Sequence, residues 1–142
     1  MISVFIFPIL IIAAFYPSEL KAQITADQLV VLPFNATYRG ANCFCKSQGM
    51  KLITIKDQKT NTLVYNFARQ KRTGQYWING NDIETEGNWV YNNGCKMKFS
   101  KWYPGLPNNY DDADCLKGLY ANDYWGDGNC YRKIAIICYK QK

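Results

Sequence analysis

Six cysteines are the feature of this 142-residue chain that most restricts how it can fold. Most of them lack the spacing of metal sites, and a single residue separates the close pair Cys43 and Cys45. Histidine is absent, which excludes zinc sites that need an imidazole and catalytic schemes built on Ser-His-Asp or Cys-His. An even number of cysteines in so short a chain predicts disulfides formed in an oxidising compartment.

The N-terminal segment points to the same compartment. Residues 2–16 form an uncharged apolar run, shorter than the roughly 20 residues that a membrane span needs. Polar residues follow at once, and Ala22 is a small residue suited to cleavage. We predict a signal peptide over residues 1–22, a mature domain over residues 23–142, and secretion to the extracellular space. The alternative is a buried N-terminal strand or helix of a cytosolic protein.

The rest of the sequence agrees with an extracellular protein. The triplet Asn35-Ala36-Thr37 is an N-glycosylation acceptor, so we expect a glycan on Asn35. No other apolar run approaches membrane length, so we expect no membrane span in the mature chain. The formal net charge of +6 favours acidic partners, but no nucleic-acid-binding motif is present and we predict no such partner.

Charge is unevenly distributed along the chain. Basic residues form two clusters, at Arg69, Lys71 and Arg72 and at Lys96, Lys98 and Lys101. Acids are concentrated in one later segment, at Asp111, Asp112, Asp114, Asp123 and Asp127. Crowded carboxylates repel one another unless a cation neutralises them, and calcium prefers such oxygen ligands. The alternative is a set of solvated loop acids.

The coarse secondary structure predicts the α+β class with a largely antiparallel sheet. Helices are predicted over residues 41–48, ending at Gly49, and over residues 58–71, with Asp57 as the N-cap. Strands are predicted at residues 29–37, 51–56, 76–78, 89–91 and 133–139. Residues 92–115 are rich in glycine, proline and aspartate, which indicates a long loop, and a loop of that length is usually functional.

Several segments also match a known family, in order and at the right spacing. They are residues 45–52, Tyr76–Gly80, Gly87–Asn109, Trp125–Asp127, and the cysteines at 115, 130 and 138. Together they resemble the C-type lectin-like domain over nearly all of the mature chain. The resemblance implies a disulfide-stapled fold of two helices, antiparallel sheets and a long ligand-binding loop, in a family devoted to binding and not to catalysis.

The resemblance also implies how four cysteines pair. It gives the disulfides Cys45–Cys138 and Cys115–Cys130, whereas six cysteines alone allow about 15 pairings. Cys43 and Cys95 are left over, and we predict that they form a third disulfide. The alternative is an interchain bond, because some members of the family dimerise through an extra cysteine.

The ligand site departs from the pattern of sugar-binding members. In those members an E-P-N or Q-P-D triplet, a further glutamate and an N-D pair hold a calcium ion that also binds the sugar. Here the triplet is Leu106-Pro107-Asn108 and the pair is Gly126-Asp127. The resemblance leaves Asn108 and Asp127 as ligands. The further glutamate falls at Ala113, or at Asp112 if the loop is one residue shorter, and Asp111 or Asp114 are substitutes. We therefore expect weak or absent calcium binding.

Aromatic residues near the loop supply other contacts. Four tryptophans match family positions that are mostly core, at Trp77, Trp89, Trp102 and Trp125. Tyr103, Tyr110 and Tyr124 flank the loop, and exposed tyrosines stack on sugars or anchor protein interfaces.

These features lead to two functional hypotheses. The first is a secreted recognition protein, as in venom, saliva or innate immunity, whose long loop binds a protein or an unusual glycan without the usual calcium bridge, because its calcium and sugar site is impaired. The second is a calcium-dependent lectin with a rearranged site. An enzyme is not predicted, since neighbouring acids such as Asp111 and Asp112 rarely face each other across a substrate.

Overall fold

The computed structural model describes residues 23–142, so the predicted signal peptide over residues 1–22 lies outside the described residues. After a 3-10 turn at Ala26–Gln28 come β1 (Leu29–Ala36), α1 (Tyr38–Ser47), β2 (Lys51–Leu52), α2 (Gln58–Lys71), β3 (Tyr76–Asn81), β4 (Cys115–Gly118), β5 (Trp125–Gly128) and β6 (Ile134–Tyr139). Within residues 23–142, none of the helices combines the length and the apolar character that crossing a bilayer requires.

Both helices begin at side chains that cap them. The Thr37 hydroxyl oxygen accepts a hydrogen bond from the backbone N–H of Gly40 at 3.1 Å, and the Asp57 carboxylate accepts one from Thr60 at 2.7 Å. The helix α2 has the predicted bounds. The helix α1 begins before the predicted Ala41, because Thr37 supplies its N-cap.

The strands form one sheet in the order β1, β6, β3, β4 and β5, and β2 also pairs with β6. All pairs are antiparallel except β3 with β6, which confirms the prediction of a largely antiparallel sheet. The predicted strand at residues 89–91 contributes only isolated bridges, from Val90 to Asn81 and to Lys96. Neither β4 nor β5 was predicted.

Helices cover both faces of the sheet. In β6, Ala135 and Ile137 join the core beneath α2, whereas Ile136 and Cys138 join the core beneath α1. Side chains alternate between the faces of a strand, so this single strand contributes to both cores. The sheet is therefore a rigid central layer from which the long connection between β3 and β4 projects.

The disulfides Cys45–Cys138 and Cys115–Cys130 are present, as the family pattern implied. The first joins α1 to β6, and the second joins β4 to the turn after β5.

The predicted disulfide between Cys43 and Cys95 is wrong, because both residues are free and exposed. Cys43 lies two residues from the buried Cys45, on the opposite side of α1, and therefore faces solvent. The helix instead presents Asn42 to the turn that leads to Cys95, where the Asn92 amide donates to Asn42 at 3.2 Å.

Candidate functional site: the long loop and an acidic cluster at its base

Tryptophans hold the base of the long loop against the core. The backbone N–H of Trp125 donates to the carbonyl of Lys101 at 2.7 Å, and the backbone N–H of Tyr103 donates to the carbonyl of Trp125 at 2.9 Å. The Trp102 ring lies 4.7 Å from the Trp89 ring and 6.5 Å from the Trp125 ring, between centroids. The tryptophans are therefore core and half-buried residues that position the loop, as predicted, and do not themselves form its exposed surface.

The predicted ligands Asn108 and Asp127 lie together, but the protein itself occupies much of their bonding capacity. Oxygen Oδ2 of Asp127 accepts from the backbone N–H groups of Asn108 at 3.0 Å and Asn109 at 2.6 Å. The Asn108 side-chain oxygen accepts from the Tyr110 N–H at 3.0 Å. Oxygen Oδ1 of Asp127 is buried without a hydrogen-bond partner. The Asp127 carboxylate thus fixes the shape of the loop.

Apolar side chains occupy the positions where the family pattern has oxygen ligands. A Cβ atom built on Gly126 would lie 2.8 Å from Cδ2 of Leu119 and 3.2 Å from Cδ1 of Leu106. Both leucines therefore press against Gly126 and surround it with hydrocarbon. Calcium takes about six to eight oxygen ligands, and the side-chain oxygens of the family pattern that remain at this corner are those of Asn108 and Asp127.

The other acids of the loop have separate environments. Asp111 and Asp123 pair with Arg132 and Lys101, at 3.4 Å and 3.7 Å respectively. Asp112, the third predicted ligand, is exposed and has a φ of 51°. Exposed ion pairs contribute little to stability, so these pairs mainly balance charge at the surface.

Three carboxylates meet where β3 ends and β4 begins. One oxygen each of Asp82, Glu86 and Asp114 lies within 4.8 Å of the others. The Asp82 N–H donates to the carbonyl of Asp114 at 3.0 Å, and oxygen Oδ2 of Asp82 accepts from the Gly87 N–H at 2.9 Å. Asp82 is only 2% exposed, and its oxygen Oδ1 is buried without a partner. We call Asp82, Glu86 and Asp114 the acidic cluster.

The acidic cluster fits a divalent cation that prefers oxygen. Calcium–oxygen distances are about 2.3–2.6 Å, so ligands on opposite sides of the ion lie about 5 Å apart. The three oxygens lie within 4.8 Å of one another, which is close enough for one ion to contact all of them. A bound ion would give oxygen Oδ1 of Asp82 the partner that it lacks and would offset the repulsion among the carboxylates.

The pKa values of the cluster reflect loss of hydration first and repulsion among the carboxylates second. Burial raises the pKa of Asp82, and the charge of Asp114 adds to this shift. Loss of hydration, followed by the charges of Asp82 and Asp114, raises the pKa of Glu86. Both shifts mean that the fully ionised cluster is unfavourable without a cation.

Sequence reasoning missed Asp82 and Glu86. A signal was available, since two acids four residues apart follow directly on β3 and precede Gly87, whose φ is 81°. Asp114, noted as a substitute ligand, is the acid from the later segment that joins them. Only the pairing of β3 with β4 brings the two segments together.

Two of the three predicted tyrosines form one surface beside the loop. The rings of Tyr103 and Tyr124 meet edge to face with 5.8 Å between centroids, and the Lys101 ammonium lies 5.0 Å from the Tyr124 centroid. Tyr103 is 44% exposed, whereas Tyr110 is 80% exposed and extends into solvent. We call Tyr103, Tyr124 and Lys101 the tyrosine surface.

Comparison with known proteins gives the same fold and family. Residues 35–140 match the Lectin C-type domain. The chain is 36% identical over 103 residues to collectin-11 of Bos taurus, covering 71% of this chain and 38% of collectin-11. It is 32% identical over 93 residues to the alpha-N-acetylgalactosamine-specific lectin of Patiria pectinifera, covering 61% of this chain and 55% of that protein.

A solved structure agrees with these matches. The carbohydrate-recognition domain of the human scavenger receptor C-type lectin superposes with a TM-score of 0.73 at 22% identity, covering 80% of this chain and 90% of that chain. The chain spans little more than a third of the length of collectin-11. Relatives of this kind are non-enzymatic recognition proteins. The family match, the two helices and the two disulfides lead to one conclusion, that this chain belongs to the C-type lectin domain family.

Proposed function

We propose that this protein is a secreted recognition protein whose long loop binds an extracellular protein or glycan directly, without a calcium bridge. The observation that carries the proposal is the packing of Leu106 and Leu119 against Gly126. The two leucine side chains occupy the position where a bridging calcium ion would need oxygen ligands. The Asp127 carboxylate already accepts hydrogen bonds from two backbone N–H groups. Collectins and an alpha-N-acetylgalactosamine-specific lectin among the relatives support recognition as the general role.

Calcium has a structural role in this proposal. The acidic cluster would hold the ion through Asp82, Glu86 and Asp114, at the point where the long loop returns to the sheet. The ion would then stabilise the base of the loop and leave ligand contact to other side chains.

The tyrosine surface supplies that contact. Tyr103 offers an exposed ring and hydroxyl, and the Lys101 ammonium, which pairs with Asp123, lies beside the Tyr124 ring. Aromatic rings with a polar edge suit both sugar faces and protein surfaces.

Replacing Tyr103 should weaken ligand binding. We expect Tyr103→Ala to lower affinity at least about tenfold for a ligand found on an array of immobilised glycans and receptor ectodomains, measured by surface plasmon resonance. The matched control is Phe34→Ala, since Phe34 on β1 is also 44% exposed and also packs edge to face with another ring. Equal losses in both variants would contradict the proposed surface.

A calcium-dependent lectin with a rearranged site is the second candidate. The unpartnered oxygen Oδ1 of Asp127, close to Asn108, favours it.

The substitution Asp127→Asn separates the two candidates, because an amide oxygen still accepts the loop N–H groups while the charge that calcium needs is lost. Direct recognition predicts that affinity for the same ligand changes less than about threefold. The opposite result would establish the calcium bridge: free monosaccharides compete with the ligand for the wild type, and Asp127→Asn loses both the binding and this competition.

A further inference from the structure

We propose a second binding site, a groove between α1, β2 and the start of α2 that takes a sulfated polysaccharide. The groove has a volume of about 1060 Å³, and its lining includes Lys46, Lys51 and Lys56. Its other lining residues come from the chain up to Asn93, from the end of β6 and from Gln141, so the groove meets the long loop only at its first residues and does not include the tyrosine surface. We call it the lysine groove.

The charge of the lysine groove is unbalanced. All three lysines are exposed, and in the described part of the chain the ion pairs join other residues, Lys101 to Asp123 and Arg132 to Asp111. The acid that lines the groove is Asp57, whose carboxylate caps α2 through the Thr60 N–H at 2.7 Å. The lysines therefore face solvent as uncompensated positive charges, which attract anions.

Three asparagines that line the lysine groove use their side-chain oxygens within the protein, and two of them keep free N–H groups. The side-chain oxygens of Asn42, Asn79 and Asn93 accept hydrogen bonds from Asn92 and Cys95 within the protein. The amide N–H groups of Asn42 and Asn93 have no acceptor among the described residues. With the lysines, they give the groove a surplus of donors.

This donor surplus favours sulfated sugars over acidic peptides. Sulfate groups only accept hydrogen bonds, so they match lysine and amide donors without leaving donors of their own unpaired. An acidic peptide would bring a backbone N–H at nearly every residue, and the side-chain oxygens of Asn42, Asn79 and Asn93 are already occupied within the protein.

One lysine is already ordered in position. The Lys56 ammonium lies 5.3 Å from the centroid of the Tyr91 ring, and Tyr91 is 8% exposed and held in the core. A lysine held over a ring loses less rotamer freedom when it binds an anion.

Heparin is the probe for this proposal. We expect the purified protein to bind immobilised heparin at about 0.15 M salt, and the triple variant K46Q/K51Q/K56Q to bind about tenfold more weakly or worse. Fully desulfated heparin should not bind. EDTA and Tyr103→Ala should leave heparin affinity unchanged, so this result and the proposed function of the loop are tested separately.

The matched control is K96Q/K98Q/K133Q, which removes three exposed lysines outside the groove. We expect this variant to lower heparin affinity less than about threefold, because it changes the overall charge of the protein but removes no direct contact in the groove. Equal losses in the two variants would mean that affinity follows net charge and would overturn the proposal. Poly-glutamate binding as tight as heparin would also overturn it, in favour of an acidic peptide. Thermal unfolding checks that both variants fold, and Lys46→Gln alone replaces the triple variant if that fails.

Discussion

Millimolar calcium should raise the midpoint of thermal unfolding, and Asp82→Asn should abolish the shift. An ion that binds only the folded state at 100 times its dissociation constant stabilises by about 2.7 kcal/mol, or roughly 8 °C for a domain of this size. Asparagine keeps the size of Asp82 and an oxygen for the Gly87 N–H. It removes the buried carboxylate oxygen that has no other partner. Differential scanning fluorimetry in calcium and in EDTA measures the effect.

Without calcium, Asp82→Asn should no longer be a disadvantage for the stability of the folded protein. The pKa of Asp82 is raised in the folded protein, so its charge lowers stability when no cation is bound. A carboxyl with a raised folded pKa stabilises at low pH and loses that contribution as pH rises through the folded value. In EDTA at neutral pH, Asp82→Asn should therefore be as stable as the wild type or more stable. A destabilised variant in EDTA would mean that Asp82 has a purely structural role.

Asp112→Asn is the matched control for calcium. Asp112 is an exposed acid of the same loop, outside the acidic cluster, and it was the ligand expected from the sequence. We expect its calcium shift to equal that of the wild type. If the calcium-dependent rise in the unfolding midpoint were lost in Asp112→Asn and kept in Asp82→Asn, the ion would bind at the site predicted from the sequence instead.

Local signals predicted the elements that depend on local chemistry. The helix α2 follows an Asp57 cap and carries its apolar residues on one side, so its bounds can be read from neighbouring residues. In contrast, β4 and β5 are short and include Gly118, Gly126 and Gly128, which do not favour strands. They form because they pair with each other and with β3, and the Tyr76 ring fills the space beside Gly118.

At the candidate site, too, the sequence predicted what a local motif determines and missed what depends on contacts between distant segments. Asn108 and Asp127 were predicted and do lie together, because the family pattern fixes the loop that connects them. That Leu106 and Leu119 close over Gly126 depends on packing, which a motif does not describe. The acidic cluster joins residues that are about 30 positions apart, and Asp82 and Glu86 lie outside the aspartate-rich segment that contains Asp114.

The disulfide Cys45–Cys138 should contribute more to stability than any other single covalent link in the domain. It closes a loop with a sequence separation of 93, against 15 for Cys115–Cys130. In the chain-entropy account the longer loop restricts the unfolded state more, by about 4 kcal/mol against about 3 kcal/mol. We expect C45A/C138A to lose about 4 kcal/mol of unfolding free energy, or to be unfolded at 37 °C, as measured by denaturant titration.

The control for this prediction is C43A/C95A. Both residues are exposed free thiols, so the change in unfolding free energy should stay within about 0.5 kcal/mol. Alkylation of the denatured, unreduced protein should label two of the six cysteines, Cys43 and Cys95. If C43A/C95A instead lowered stability by several kcal/mol and the unreduced protein resisted alkylation, the leftover cysteines would be paired. The third disulfide, Cys43–Cys95, which was expected from the sequence, would then be present.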